Sequence, residues 1–310
     1  MSNTSMQAIR FHDYGGPEVL TLDETPRHQP GAGQVLVKIL AAGVNPIDWK
    51  IRAGYMKAFM PVPLPFTPGL DGAGVIESVG PDVTTFKPGE AVYGIFSGAY
   101  AEYALAAAGD IQIKPASLSF EQAATVGVGA LTAWGAVIET ANVQAGQRVL
   151  VHGAAGGVGV YAVQLARWKG AHVIGVASAG NLDFVRSLGA ETALDYKAAP
   201  FETLVHDLDA VIDTVGGDDL AGRSFKVLRA DGVYVTVAGR LAPDAGKAEG
   251  VRALGAGRAA SSNLARITEL LDAGKLTAFA GTVFPLAQAR QAQELSQTGH
   301  GRGRIILKVG

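Results

Sequence analysis

The stretch Val149-Leu150-Val151-His152-Gly153-Ala154-Ala155-Gly156-Gly157-Val158-Gly159 carries the clearest chemistry in this chain. An apolar strand runs into a glycine cluster, and a helix follows. Bare backbone at Gly156 lets a pyrophosphate approach the helix N-terminus, whose unpaired N–H groups and dipole favour an anion. Gly159 lets the helix pack close to the strand. Written as G-x-G-x-x-G, the pattern has Ala154 in first place and reads A-x-G-x-x-G. Its specificity comes from the strand before, the helix after and the βα units downstream. The alternative is a tight βα turn with no ligand. Ala154, Gly156, Gly157 and Val158 are the candidate phosphate-binding residues.

A second signal is an absence. About 20 residues past such a turn, an acidic side chain would hold the ribose hydroxyls of NAD. The segment Gly175-Val176-Ala177-Ser178-Ala179-Gly180-Asn181 contains no Asp or Glu. A carboxylate there would repel a 2′-phosphate, whereas a hydroxyl can hydrogen-bond it. The expected cofactor is NADPH, with Ser178 beside the 2′-phosphate. Ser178 also suits the cap of the following helix.

These residues need elements to hold them. From residue 117 onward, strand and helix signals alternate. Ser119-Phe120-Glu121-Gln122 reads as a capping box. Strands are predicted at Arg148–His152, Ala171–Ala177, Thr192–Asp195, Ala210–Thr214 and Val233–Val237. Helices are predicted at Val158–Lys169, Leu182–Leu188, Phe201–His206 and Leu220–Leu228. Alternation of this kind requires a parallel sheet with helices on its faces. Before residue 117 the signals are short β-type runs: Ala8–Phe11, Val35–Leu40, Gly74–Val79, Ala91–Phe96 and Tyr100–Leu105. Four prolines between Pro61 and Pro68 forbid regular helix there. After Gly239 the chain is looser. An amphipathic helix at Asn263–Ala273 follows, then strand, helix and strand at Ala280–Phe284, Leu286–Leu295 and Arg304–Val309. Periodicity leaves open whether that last group completes the parallel sheet or returns to the first domain.

Composition narrows the function classes. The chain has 310 residues, 48% of them hydrophobic and 17% charged, enough apolar surface for more than one core and too little charge for a disordered chain. The balance of 26 basic and 28 acidic residues argues against a nucleic-acid or anionic-membrane binder, both of which need a basic footprint. There are no cysteines, which removes thiol nucleophiles, iron–sulfur clusters and thiolate zinc sites. The start, Met1-Ser2-Asn3-Thr4-Ser5-Met6, has neither a basic region nor an apolar stretch. It predicts no signal peptide, and a short frayed leader before a first strand at Met6. The charge-free run Val149–Ala166 is long enough to approach a membrane span, but its glycines read as strand, turn, helix. A soluble cytoplasmic protein is expected.

Beyond the glycine turn, a series of ordered segments resembles the medium-chain dehydrogenase/reductase superfamily, in its zinc-free NADPH:quinone oxidoreductase (zeta-crystallin-like) branch. They are Gly15-Gly16-Pro17-Glu18-Val19-Leu20, Gly43-Val44-Asn45-Pro46-Ile47-Asp48 with Arg52-Ala53-Gly54, and Pro68-Gly69-Leu70-Asp71-Gly72-Ala73-Gly74-Val75-Ile76. Lys87-Pro88-Gly89-Glu90, Leu131-Thr132-Ala133, Gly153–Gly159 and Gly299-His300-Gly301-Arg302-Gly303-Arg304 complete the series. The resemblance covers nearly the whole chain. It implies an α/β protein: a GroES-like β domain from residues 1–120 and 262–310, and a Rossmann doubly wound parallel-sheet domain from residues 121–261. It implies an active site in the cleft between them, and a homodimer. The zinc-dependent branch carries a metal-ligand His-Glu pair where this chain has Leu70-Asp71, and an isolated Asp is a poor zinc site.

The resemblance also implies residue roles. Asn45 matches an Asn beside the nicotinamide and the substrate; its plain reading is a turn residue before Pro46. Asp48 is expected to fix the same loop. Thr132 matches a Thr that contacts the nicotinamide side, and otherwise is a buried helix hydroxyl. Tyr196 matches a Tyr near the adenosine phosphate. Val237, Ala238 and Gly239 end a strand where the bound nicotinamide should pass. Two departures stand out. A Lys that often grips the 2′-phosphate is replaced by Asn181 or Leu182. A Tyr common in the quinone reductases is replaced by Lys50, so an aromatic wall of the acceptor site is missing or is supplied by Trp49, Tyr55 or Phe59. Lys50 is a candidate catalytic cation near a developing oxyanion, or a solvated residue on a short helix.

The expected activity is hydride transfer from NADPH to a quinone, without metal. An alkenal or enone double-bond reductase is the nearest alternative. A non-catalytic NADPH-binding sensor would keep the glycine turn and lose the acceptor chemistry. Quinones and enones need little help, because their reduced products are delocalised. The protein's main task is then to hold donor and acceptor close in a dry site.

Overall fold

The computed structural model describes residues 4–310. The first three residues of the expected leader lie outside the described residues, and the first strand begins at Ser5. In chain order the strands are β1 (Ser5–Phe11), β2 (Leu20–Pro26), β3 (Gln34–Gly43), β4 (Asp71–Val79), β5 (Ala91–Ile95), β6 (Tyr103–Ala107) and β7 (Ile111–Ile113). They continue with β8 (Arg148–His152), β9 (His172–Ala177), β10 (Thr192–Asp195), β11 (Leu208–Asp213), β12 (Leu228–Thr236), β13 (Arg252–Gly255), β14 (Ala280–Pro285) and β15 (Arg304–Lys308). The α-helices are α1 (Pro46–Arg52), α2 (Phe120–Ala123), α3 (Val126–Trp134), α4 (Gly159–Trp168), α5 (Leu182–Ser187), α6 (Asp218–Phe225), α7 (Leu264–Asp272) and α8 (Ala289–Gln297).

The chain forms two compact units. One contains the residues through Val128, Ser261–Asp272 and Ala278–Gly310; the other contains Gly129–Ala260 and Ala273–Thr277. In the first unit, β1 and β2 pair antiparallel, and β14-β15-β3-β4-β5-β7 form a sheet with β6 also on β3. Its core gathers Val35, Val37, Ile39, Ile76, Val92 and Leu307 from the strands with Ala289 and Ala292 from α8. Strand alternation puts these aliphatics on one face, and each contributes about 1.5–3 kcal/mol by leaving water.

The second unit holds a six-stranded parallel sheet in the order β10-β9-β8-β11-β12-β13. Numbered from its first strand that is 3-2-1-4-5-6, the doubly wound arrangement, with the order reversing between β8 and β11. Val149, Leu150 and Val151 of β8 are wholly buried, as a central strand covered on both faces must be. Ser119 caps α2 as its sequence predicts: its Oγ accepts from Gln122 N at 3.2 Å, and Gln122 Oε1 accepts from Ser119 N at 2.9 Å. The stretch Phe120–Thr140 is long and apolar enough to span a bilayer, but 72% of its apolar window is buried inside the protein. It is a core element, with α3 running on into π-helical turns at Gly135–Thr140.

Local readings failed where an element was short or at an edge. Residues 201–206 form only a 3-10 turn, Phe201–Thr203, because the segment is too short to repay helix nucleation and Asp207 turns to φ 53°. The helix expected at 220–228 starts earlier, at Asp218, with two acidic residues in its first turn, and Leu228 belongs to β12 instead. Strands β2, β7 and β13 gave no strand signal. In β2 and β13 no side chain is fully buried, so no apolar alternation marks them, and β7 has only three residues.

Candidate active site

In the parallel-sheet unit, four segments come together at the C-terminal ends of neighbouring strands. The glycine turn follows β8, Ser178 follows β9, Tyr196 follows β10, and Val237–Gly239 follows β12. Strand order reverses beside β8, which is where doubly wound sheets open a ligand crevice. The turn is shaped by its glycines. Gly153 has φ 66°, and a Cβ on Gly159 would stand 2.1 Å from Gly153 O, so α4 starts hard against the strand end. A Cβ on Gly156 would meet only Gly153 O, at 3.3 Å, so the face above Gly156 is open backbone. The ten-residue α4 starts directly after it, with Val160 N donating to Gly156 O at 3.0 Å.

The neighbouring loops are fixed by buried polar groups. Thr214 Oγ1 donates to His152 O at 2.8 Å. Asp213 is wholly buried and accepts from Val215 N at 2.8 Å, Gly216 N at 3.0 Å and the Tyr234 hydroxyl at 2.5 Å. Thr236 Oγ1 accepts from Ala238 N at 3.1 Å, which shapes the Val237–Gly239 turn. His152 is buried between Ser224 Oγ, 3.0 Å from its Nε2, and the Phe201 ring. Burial pushes its pKa down to about 4, so it is neutral at ordinary pH.

Ser178 Oγ accepts from Asn181 Nδ2 at 3.0 Å, and Tyr196 N donates to Ala177 O at 3.3 Å, so the two candidate phosphate residues stand on adjacent strand ends. Tyr196 is exposed, with Lys197 Nζ 5.7 Å from its ring centroid. Hydroxyls, backbone N–H groups and one cation, with no carboxylate after β9, form a donor set suited to an anionic dinucleotide. Thr132 lies half-buried on α3.

In the other unit, a buried polar cluster surrounds Asn45, which precedes α1. Asn45 N donates to Asp48 Oδ2 at 2.8 Å, and Asp48 Oδ2 also accepts from the Tyr100 hydroxyl at 2.9 Å. Asn45 Nδ2 donates to Asp71 Oδ2 at 3.0 Å, and Arg304 Nη1 donates to Asn45 Oδ1. Burial, with the Asp71 charge adding to it, pushes the Asp48 carboxyl up to about 7. Lys50 is not hydrogen-bonded to Asn45; its Nζ lies 5.6 Å from the Trp49 ring centroid. Trp49 meets Tyr55 edge-on at 6.0 Å, and Tyr55 and Phe59 are 69% and 65% exposed, an apolar surface open to a planar ligand.

A metal does not fit this cluster. Asp71 Oδ1 accepts from Val128 N at 2.5 Å, Oδ2 accepts from Asn45, and the Arg304 guanidinium is 3.8 Å away. A carboxylate so engaged and neutralised has little left for a divalent cation. Among the described residues no three His, Asp or Glu side chains gather as a ligand set.

Sequence reading marked Asn45 and Asp48 but assigned no role to Tyr100 or Arg304, and took Asp71 only as a poor metal ligand. The signal available was a charged residue at the start of an apolar strand, as at Asp71 before Gly72-Ala73 and Arg304 before Ile305-Ile306. A lone charge there must be paired once buried.

Two families match the chain: the alcohol dehydrogenase GroES-like domain over residues 31–116 and the zinc-binding dehydrogenase domain over residues 188–307. A quinone oxidoreductase of Mus musculus is 37% identical, with 97% of each chain covered. A 2-methylene-furan-3-one reductase of Solanum lycopersicum is 33% identical over 98% of this chain and 79% of its own. Among solved structures, the quinone oxidoreductase from Coxiella burnetii has a TM-score of 0.90 at 36% identity, covering 99% of this chain and 100% of its own. A mycobacterial protein complexed with NADPH has a TM-score of 0.87 at 30% identity, covering 98% and 99%. The chain is an α/β oxidoreductase with a GroES-like part and a Rossmann-like parallel sheet, and it belongs to the medium-chain dehydrogenase/reductase family.

Proposed function

We propose that this protein reduces quinones with NADPH and uses no metal. The observation that carries this reading is the open glycine turn after β8 beside a strand end that offers Ser178 and Asn181 in place of a carboxylate. The 37% identity to a quinone oxidoreductase and the likeness to a protein complexed with NADPH support it.

The turn residues Ala154, Gly156, Gly157 and Val158 pack their small side chains and bare backbone against the diphosphate at the start of α4, the N–H groups of Ala154 and Gly156 themselves being taken by Val176 O and Gly153 O. Ser178, Tyr196 and Lys197 receive the 2′-phosphate. Thr132 and Val237–Gly239 line the nicotinamide. NADPH supplies a hydride when bound. The overall change is two electrons and one hydrogen from the cofactor, plus one proton from water, giving the hydroquinone. Asn45 and Lys50, before and on α1, are assigned to the acceptor side, Asn45 as the buried polar anchor of that loop and Lys50 as added positive charge. Trp49, Tyr55 and Phe59 offer ring faces to the acceptor. The commitment of the Asp71 carboxylate to N–H donors supports a metal-free site.

A second reading, reduction of an enone double bond, is favoured by the 33% identity to a 2-methylene-furan-3-one reductase. Loss of reduced-nicotinamide absorbance with a quinone panel and an enone panel separates the two. Faster turnover across the quinones supports the first reading. Turnover confined to enones replaces it with the second.

A further inference from the structure

Within the parallel sheet, the three strands around the reversal of order end in register. Asp213 of β11 lies opposite His152 of β8 on one side and opposite Thr236 of β12 on the other. The segments that follow them all leave the sheet at its C-terminal edge, where a doubly wound sheet opens its crevice.

Asp213 and Thr236 are 0% and 3% exposed. Asp213 Oδ1 accepts from Val215 N at 2.8 Å and Gly216 N at 3.0 Å. Its Oδ2 accepts from the Tyr234 hydroxyl at 2.5 Å and from Thr236 Oγ1 at 3.4 Å. Thr236 Oγ1 in turn accepts from Ala238 N at 3.1 Å. One carboxylate thereby ties the loop after β11 to the loop after β12. The loops also touch directly. Gly216 has φ 84°, and a Cβ on it would overlap Ala238 O. Toward β8, Thr214 Oγ1 donates to His152 O at 2.8 Å, and Val215 Cγ2 would stand 3.0 Å from a Cβ on Gly153.

The four donors to Asp213 are all neutral, and a buried carboxylate held by neutral donors is an expensive way to gain stability. What it secures here is loop geometry. Val215 is apolar yet 59% exposed, on a loop whose backbone is fixed from below. We propose that Asp213 and Thr236 are positioning residues, which lock the loops after β11 and β12 into one wall of the crevice, ready for the nicotinamide half of the cofactor before it binds. This rests on the reading, given under Proposed function, that NADPH lies across these strand ends. A wall set in advance spares the bound state the cost of ordering two loops.

The test compares two ligands by calorimetry, NADPH and adenosine 2′,5′-bisphosphate, which carries only the half assigned to Ser178, Tyr196 and Lys197. Thr236→Val keeps the branched shape and removes the hydroxyl that joins Ala238 N to Asp213. It is expected to weaken NADPH on the order of tenfold, the scale of one lost hydrogen-bond link. Affinity for the bisphosphate stays at the wild-type value, and Thr236→Ser restores NADPH affinity. In ligand-free Thr236→Val, hydrogen exchange at the Val215, Gly216 and Ala238 amides should quicken together. A merely structural role would weaken both ligands alike. That result, unchanged NADPH affinity, or exchange that quickens at Ala238 alone overturns the proposal. Should Thr236→Val fail to fold, Asp213→Asn keeps an oxygen for Val215 N and Gly216 N, sets an amide against the Thr236 hydroxyl, and is read by the same two affinities. Failure of the underlying reading shows in the wild type. It would then bind NADPH no more tightly than the bisphosphate, or bind neither, and either result overturns both.

Discussion

The Tyr100 hydroxyl donates to Asp48 Oδ2 at 2.9 Å, and the two residues are 0% and 2% exposed. Asp48 thus holds its carboxyl in a dry place with one O–H and one N–H donor, and burial outweighs both in raising its pKa. The folded protein binds this proton more tightly than the unfolded chain does. The associated stability is greatest at low pH and is lost as pH rises from about 4 to about 7. Asp48→Asn should remove that slope. Thermal melts from about pH 5 to about pH 8 should show the variant gaining on wild type as pH rises. A constant difference would show that Asp48 does not titrate in this window.

His152 has the opposite sign. Burial lowers its pKa from 6.5 to about 4, so the unfolded chain binds the proton more tightly. Stability from the neutral ring is complete above about 6.5 and falls as pH drops toward about 4, by on the order of 3 kcal/mol. His152→Gln keeps a partner for Ser224 and should lose less melting temperature than wild type on acidification. The Asp48 and His152 slopes oppose each other, so wild type alone should look flat where the two single variants diverge. Parallel curves for all three proteins would contradict this.

Two glycines of the turn should separate folding from binding. Gly159→Ala drives a Cβ to 2.1 Å from a backbone oxygen and should cost about 1–3 kcal/mol as well as NADPH affinity. Gly156→Ala meets its nearest atom at 3.3 Å. It should melt near wild type yet bind NADPH at least about tenfold more weakly, because on the proposed reading its methyl stands where the phosphate approaches. Melting and calorimetry on the two variants check both. Equal melting losses would refute the assignment.

Cofactor choice should reside in Ser178 and Lys197. Ser178→Asp places a carboxylate at the proposed 2′-phosphate position, and should invert the ratio of kcat/KM for NADPH over NADH. Lys197→Ala should lower that ratio, and with it the salt sensitivity of NADPH binding, because Lys197 is exposed. NADH kinetics should barely change in Lys197→Ala. A parallel drop with both cofactors would assign Lys197 to general binding.

Most of the parallel-sheet unit was legible because its strands are central. Val149-Leu150-Val151 is an unbroken apolar run, and Gly153, Gly156 and Gly159 mark the turn by a spacing that only close backbone contact explains. The elements that escaped notice carry little buried surface, such as β2 and β13. The Asn45 cluster was half legible. Asn45 and Asp48 lie three residues apart and read locally as a cap. Asp71 and Arg304 join them only through the pairing of β3, β4 and β15, and Tyr100 through backbone bonds to Ile9 and Pro68, across as many as 259 positions of sequence. No local pattern carries that register.

The most direct measurement is NADPH oxidation by a quinone on protein dialysed against a strong chelator. The account predicts an undiminished rate, one NADPH consumed per hydroquinone formed, and collapse of the rate in Gly156→Ala. A chelated protein that binds NADPH but reduces no quinone, or one whose activity returns only with added zinc, would contradict it.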